Sequence, residues 1–230
     1  MMLGKKATKV FTGTDGMEKF FPKERIMVTG NPVRQAIASA SVSRIEGIRF
    51  FSLDENKKTV LVVGGSLGAK SINEAIDKNI DQLLNAGLQV IWQTGKPFAA
   101  QAKERTAGKR SVWVNDFITQ MEYAYAAADI VVARAGAMTV AELCVVKKPV
   151  LFVPYPFAAE DHQTANARQL LNKSAALMIK DTEAADKLVP MTIDLAKDEQ
   201  WQSDLRRHIA ALAIVDADKL IANEIIKALQ

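Results

Sequence analysis

The sequence holds one cysteine, two histidines and no long apolar run, and each scarcity removes a class of protein. A lone thiol, Cys144, can close no internal disulfide and cannot build a cysteine-rich zinc site, which points to a reducing compartment. His162 has no second histidine or cysteine at ligand spacing, so no metal is expected there. No stretch approaches the roughly 20 apolar residues of a spanning helix. The lysine-bearing start, residues 1–10, lacks an apolar segment long enough for a signal peptide. These absences read together as a cytoplasmic protein. A large excess of charge of one sign is missing too, with 30 Lys and Arg against 26 Asp and Glu. A net +4, with Lys and Arg scattered, leaves no footprint for nucleic acid and suits a small anionic substrate or an acidic membrane surface.

What is present is an alternation. Short runs rich in Val and Ile fall at 59–63, 88–92, 111–114, 129–133, 149–153 and 175–179. They are apolar nearly throughout, as strands are when helices cover both faces of a parallel sheet. Between them lie segments of helical spacing, the first with Ile72, Ile76, Ile80, Leu83 and Leu84 on one face. Further helices are predicted near 97–106, 119–128, 137–146, 162–173, 183–196 and 199–212. The fold class is therefore α/β, a Rossmann-like doubly wound parallel sheet. The ends stand apart. Residues 1–30 hold one or two short strands, at 9–12 and 26–29, too little for a domain. Residues 216–229 form an amphipathic helix whose apolar positions need something to pack against.

Four loops could carry chemistry. Gly64-Gly65-Ser66-Leu67-Gly68 follows a strand and opens a helix, where glycines allow close backbone approach and free N–H groups suit a phosphate. Ser66 could donate to a phosphate oxygen, or merely cap the helix. The same residues fit G-x-S-x-G, the nucleophile elbow of serine hydrolases. That reading needs a triad such as Ser66, Asp129 or Glu142, and His162. A nicotinamide site is disfavoured because the second strand ends Trp92-Gln93-Thr94-Gly95, with no acid for ribose hydroxyls. Arg134-Ala135-Gly136-Ala137-Met138-Thr139-Val140-Ala141-Glu142 makes a second strand-to-helix turn on the same sheet edge. Glu142 could accept bonds from vicinal hydroxyls, or only complement the helix dipole. The polar run Glu160 to Gln163 follows a third strand. Arg34, after the Asn31-Pro32 turn, could clamp a phosphate or be a solvated surface charge.

These stretches occur together in one order: Gly30-Asn31-Pro32-Val33-Arg34, Val62-Val63-Gly64-Gly65-Ser66-Leu67-Gly68-Ala69, Trp92-Gln93-Thr94-Gly95-Lys96, Asp116-Phe117-Ile118 with Met121, Ala128-Asp129 with Arg134 to Thr139, and Glu160-Asp161-His162-Gln163 with Asn166-Ala167. The set resembles the MurG family of peptidoglycan glycosyltransferases, which add N-acetylglucosamine (GlcNAc) to a lipid-linked muramyl-pentapeptide. The resemblance implies a GT-B arrangement of two Rossmann-like domains. Residues 30–214 would be the donor domain for UDP-GlcNAc, residues 1–29 the last piece of the amino-terminal acceptor domain, and residues 215–230 a helix packing toward that domain. Arg34 and Ser66 would contact the diphosphate and Ile118 the uracil through its backbone. Ala137, Met138, Thr139, Val140 and Ala141 would line the diphosphate and ribose, with Glu142 on the ribose hydroxyls and Gln163 on the sugar. Gly64, Gly65 and Gly68 would shape the phosphate loop.

The family's acceptor-side Gly-Gly-Thr-Gly-Gly-His motif is missing from this sequence. The expectation is therefore a donor half with no catalytic base of its own, needing no cofactor, whose lipid-linked acceptor docks on the absent half. The resemblance places the enzyme peripherally on the cytoplasmic side of the bacterial inner membrane. A UDP-sugar transferase with another acceptor, a non-catalytic nucleotide-sugar module and a hydrolase using Ser66 are the alternatives.

Overall fold

A computed structural model describes residues 6–229; residues 1–5 of the amino-terminal segment and Gln230 of the carboxy-terminal one lie outside it. The chain begins with a separate pair of strands, β1 (Val10–Thr12) and β2 (Ile26–Val28), which run parallel. Two short helices follow, α1 (Gln35–Ala38) and α2 (Arg44–Phe50), and then the main unit. Its elements are β3 (Thr59–Val63), α3 (Lys70–Asn85), β4 (Gln89–Gln93), α4 (Ala99–Thr106), β5 (Val112–Asn115), α5 (Met121–Ala127) and β6 (Ile130–Ala133). They continue with α6 (Ala137–Val146), β7 (Val150–Phe152), α7 (His162–Leu171), β8 (Leu177–Met178), α8 (Ala184–Lys197), α9 (Glu199–Ala210) and α10 (Ala217–Ala228).

The six strands β3 to β8 form one parallel sheet in the order β5-β4-β3-β6-β7-β8. This is the doubly wound order, reversing direction between β3 and β6. Because strand residues alternate in face, each run feeds two layers. Leu61, Ile91 and Val131 enter one core, with Ile37, Ile48, Tyr125 and Leu143 from the helices on that side. Val60, Val62, Trp92 and Val132 enter the other, with Ile72, Ile76, Ile80 and Leu188. Burial on both faces explains why the strands read as continuous apolar runs.

Several boundaries differ from the sequence reading. The last strand is only two residues long, and α8 begins after a 3-10 turn. Helix α2 was not foreseen. Its start is a capping box, with Ser43 Oγ accepting from Glu46 N at 3.3 Å and Ser43 N donating to Glu46 Oε2 at 2.7 Å. A Cβ at Gly47 would sit 2.6 Å from the Tyr123 carbonyl, so α2 and α5 need that glycine to approach. Helix α10 pairs through Glu224 with Lys9, and Asp218 accepts from Gln35 at 3.2 Å. Leu220, Ile225 and Ile226 on it stay exposed. No helix among the described residues is long and apolar enough to cross a membrane.

Candidate functional site

The direction reversal between β3 and β6 creates a crevice at their carboxyl ends, where ligands of open α/β sheets bind. The 64–68 loop leaves β3 there. Gly68 N donates to Gly65 O at 3.0 Å, closing a tight turn, while the N–H groups of Gly65, Ser66 and Leu67 have no partner among the described residues. The helix does not start at Ser66. Its N-cap is Ala69, with no side-chain cap, so Ser66 is not the capping residue its spacing allowed. The glycines serve two ends. Cβ atoms at Gly64 and Gly68 would lie 2.6 Å from Ala69 N and 2.1 Å from Thr94 O, whereas one at Gly65 meets nothing within 4 Å. Gln93, at the end of β4 where a nicotinamide site would carry an acid, instead donates to Gly65 O at 2.8 Å and Asp116 O at 3.2 Å. It braces the loop, a role the sequence reading missed.

On the other side of the crevice, β6 enters α6 through Gly136, the N-cap. The N–H groups of Ala137, Met138 and Thr139 are unpartnered among the described residues, as the first turn of a helix requires. Val140 is different: its N–H is spent on Gly136 O at 2.9 Å and its side chain is 8% exposed. Among the described residues it therefore offers no N–H to a diphosphate. Ile118 keeps its side chain in the core, 4% exposed, and leaves its backbone N–H and carbonyl without partners among the described residues.

Glu142 lies in the second turn of α6, beyond the reach of the helix-dipole role considered for it. It is held by Tyr125, whose O–H donates to Oε2 at 2.8 Å. Arg34 stands on its other side, with NH2 3.6 Å from Oε1, although the arginine side chain is 58% exposed. Burial first, then the Glu142 charge, pushes the Tyr125 phenol well above the usual tyrosine range. Gln163 Oε1 accepts from Tyr155 N at 3.0 Å, pinning the loop after β7, and its NH2 group meets no acceptor among the described residues.

Arg134 is a brace. It donates to the Val153 and Pro154 carbonyls at 2.9 and 3.2 Å and to Ser71 Oγ at 3.1 Å, and pairs with Asp181. Ala137, Val140 and Ala141 also line a cavity of about 390 Å³ with Gly13, Asn31 and Cys144. Arg34, Ser66, Glu142 and Gln163 are not on its walls.

The triad reading fails on geometry. Asp129 accepts from Thr59 N at 2.8 Å, at the amino end of β3, and holds Arg44, whereas Ser66 follows that strand's carboxyl end. His208 bonds to the Ser174 carbonyl at 3.0 Å, and the His162 side chain makes no hydrogen bond among the described residues. Neither reaches Ser66.

Sheet order defines a Rossmann-like, doubly wound domain with its candidate ligand groups at the switch point. The chain belongs to glycosyltransferase family 28, matching that family's C-terminal domain over residues 59–221. It is 46% identical over 228 residues to the UDP-N-acetylglucosamine--N-acetylmuramyl-(pentapeptide) pyrophosphoryl-undecaprenol N-acetylglucosamine transferase of Parabacteroides distasonis, covering 98% of this chain and 62% of that protein. The transferase of the same name from Flavobacterium psychrophilum is 46% identical over 226 residues, covering 98% of this chain and 61% of that protein. The crystal structure of Acinetobacter baumannii MurG superposes with a TM-score of 0.70 at 27% identity, covering 90% of this chain and 58% of that one. The chain thus spans about three-fifths of the length of the relatives it matches.

Proposed function

We propose that this chain is the donor-binding part of an inverting glycosyltransferase of peptidoglycan synthesis. The reaction is transfer of GlcNAc from UDP-GlcNAc to undecaprenyl-pyrophosphoryl-MurNAc-pentapeptide. The observation that carries this reading is the pairing, across one switch point, of two sets of N–H groups unpartnered among the described residues with the Arg34–Glu142 couple. The N–H groups of Gly65 to Leu67 and of Ala137 to Thr139 would receive the diphosphate, with Arg34 beside them. Glu142 would take the ribose hydroxyls, the Ile118 backbone the uracil, and the Gln163 amide the sugar. These fixed dipoles and the guanidinium would stabilise charge growing on UDP as it departs. Loop N–H groups, one helix start and the guanidinium carry that charge in this reading, which calls on no metal.

The names of the relatives support the acceptor, and their greater length supports a division of labour. In that division residues 1–29 belong to an acceptor domain, residues 30–214 to the donor domain, and residues 215–230 pack back toward the former. The general base sits on the acceptor side, and the whole enzyme works peripherally at the cytoplasmic face of the inner membrane. Saturation-transfer NMR of this chain with UDP tests the donor reading. Transfer at millimolar UDP, competed by UDP-GlcNAc better than by UDP-glucose, is expected. No transfer at that concentration overturns it, and turnover by this chain alone overturns the division of labour.

A further inference from the structure

Tyr125 is the one side chain that hydrogen-bonds Glu142 among the described residues. It comes from α5, a different helix from Glu142, and its ring is 2% exposed in the core layer beside Ile37 and Leu143. A glutamate side chain has three rotatable bonds, and its freedom must be lost before two hydroxyls can be held at once. A single buried donor on Oε2 removes that freedom in advance. The remaining oxygen, Oε1, lies 3.6 Å from Arg34 NH2, longer than a hydrogen bond, so it has a counter-charge nearby and an open acceptor position.

We propose that Tyr125 is a positioning residue that fixes the Glu142 carboxylate so that Oε1 faces the vicinal hydroxyls of a nucleoside ribose. This rests on the reading of Glu142 given above and goes beyond it by assigning a residue that touches no ligand. The phenol keeps the proton it donates to Oε2, because its burial and then the Glu142 charge hold it protonated far above neutral pH. A carboxylate bonded on one oxygen by a rigid ring presents the other in a fixed direction. Discrimination between ribose and a sugar lacking hydroxyls then depends on the phenol.

The test is an NMR shift titration of the chain with UDP and with 2′,3′-dideoxy-UDP. Wild type should prefer UDP by roughly tenfold, the size expected of hydrogen bonds to a charged group. Tyr125→Phe should shrink that preference to about threefold or less while holding the dideoxy affinity within about twofold. The double variant Tyr125→Phe, Glu142→Ala strands no buried carboxylate and should discriminate as Glu142→Ala does alone. Full preference in Tyr125→Phe overturns the proposal, as does an equal loss for both ligands or an added loss in the double variant. Absence of any preference in wild type overturns instead the ribose role of Glu142 on which it rests.

Discussion

Arg134, at the end of β6, forms an ion pair with Asp181, ahead of α8, and the two side chains are only 12% and 22% exposed. Ser71 at the start of α3 donates to the same carboxylate oxygen. One guanidinium therefore ties together two strand ends and two helix starts around the crevice. Removing one partner of a nearly buried pair leaves the other charge uncompensated. Arg134→Met should cost roughly 3 kcal/mol, lowering the melting temperature by about 6–12 °C. Arg134→Lys should recover part of it. Thermal denaturation decides, and a Met variant that melts with wild type would remove the brace from the account.

The loop glycines should separate by cause. Gly68 has φ +77° and a Cβ there would lie 2.1 Å from Thr94 O, so Gly68→Ala should cost about 3 kcal/mol or more. Gly65 has φ +78° with open space around it, so Gly65→Ala should cost only about 1–2 kcal/mol. The open space is where a phosphate would approach, and the second variant should bind UDP at least fivefold more weakly, on the order of one lost hydrogen bond. Urea denaturation and a UDP titration read the two effects. Equal destabilisation would mean the loop does not pack on residue 94 as described.

Cys144 should be a poor nucleophile. Burial pushes its thiol up to about 11 and leaves it 5% exposed. At pH 8 the thiolate is correspondingly rare, and iodoacetamide should alkylate the native chain roughly a hundredfold more slowly than the urea-unfolded chain. Mass spectrometry over time measures both rates. Native alkylation within tenfold of the unfolded rate would contradict the packing of this helix face.

Lys148 should make stability rise with pH. Its ammonium caps α5, donating to the Ala128 carbonyl at 2.7 Å, and burial pulls its pKa down to about 8, against the opposing pull of Asp129. Arg206 and Arg44 add to the lowering. The unfolded chain releases the same proton near 10.4. Between these values the unfolded state binds more protons, so stability climbs as pH rises from about 8 toward 10. Below 8 the cost of the buried charge is fully present. Urea midpoints at pH 7.5, 8.5 and 9.5 should show wild type gaining on Lys148→Met. A gap that stays constant across that window would place the proton elsewhere.

The sheet was legible because burial on both faces writes itself into each strand as an unbroken apolar run. Helix α2 was not, since seven residues interrupted by Gly47 carry little periodic signal and owe their form to packing on α5. The loops of the candidate site were legible one by one, at Gly64 to Gly68 and at Ala137 to Glu142, because both follow strands in a fixed alternation. Its finer wiring was not. Tyr125 and Glu142 meet only through a tertiary contact between side chains of α5 and α6, and the helical spacing of Met121 and Tyr125 looks like core alone. Gln93 likewise reads as a strand end until the 64–68 loop folds over it. The exclusion of Val140 N–H follows from where the helix begins, which sequence patterns locate least well.

The pair β1 and β2 is parallel, yet among the described residues each strand lacks a neighbour on its outer rim. Parallel strands ordinarily sit inside larger, covered sheets, and bare rims recruit more strands. This rim is therefore where a further strand would join the polypeptide. Concentration rather than heat should set the working range of the isolated chain in solution, with copies adding strand to strand at this rim before the main sheet loosens.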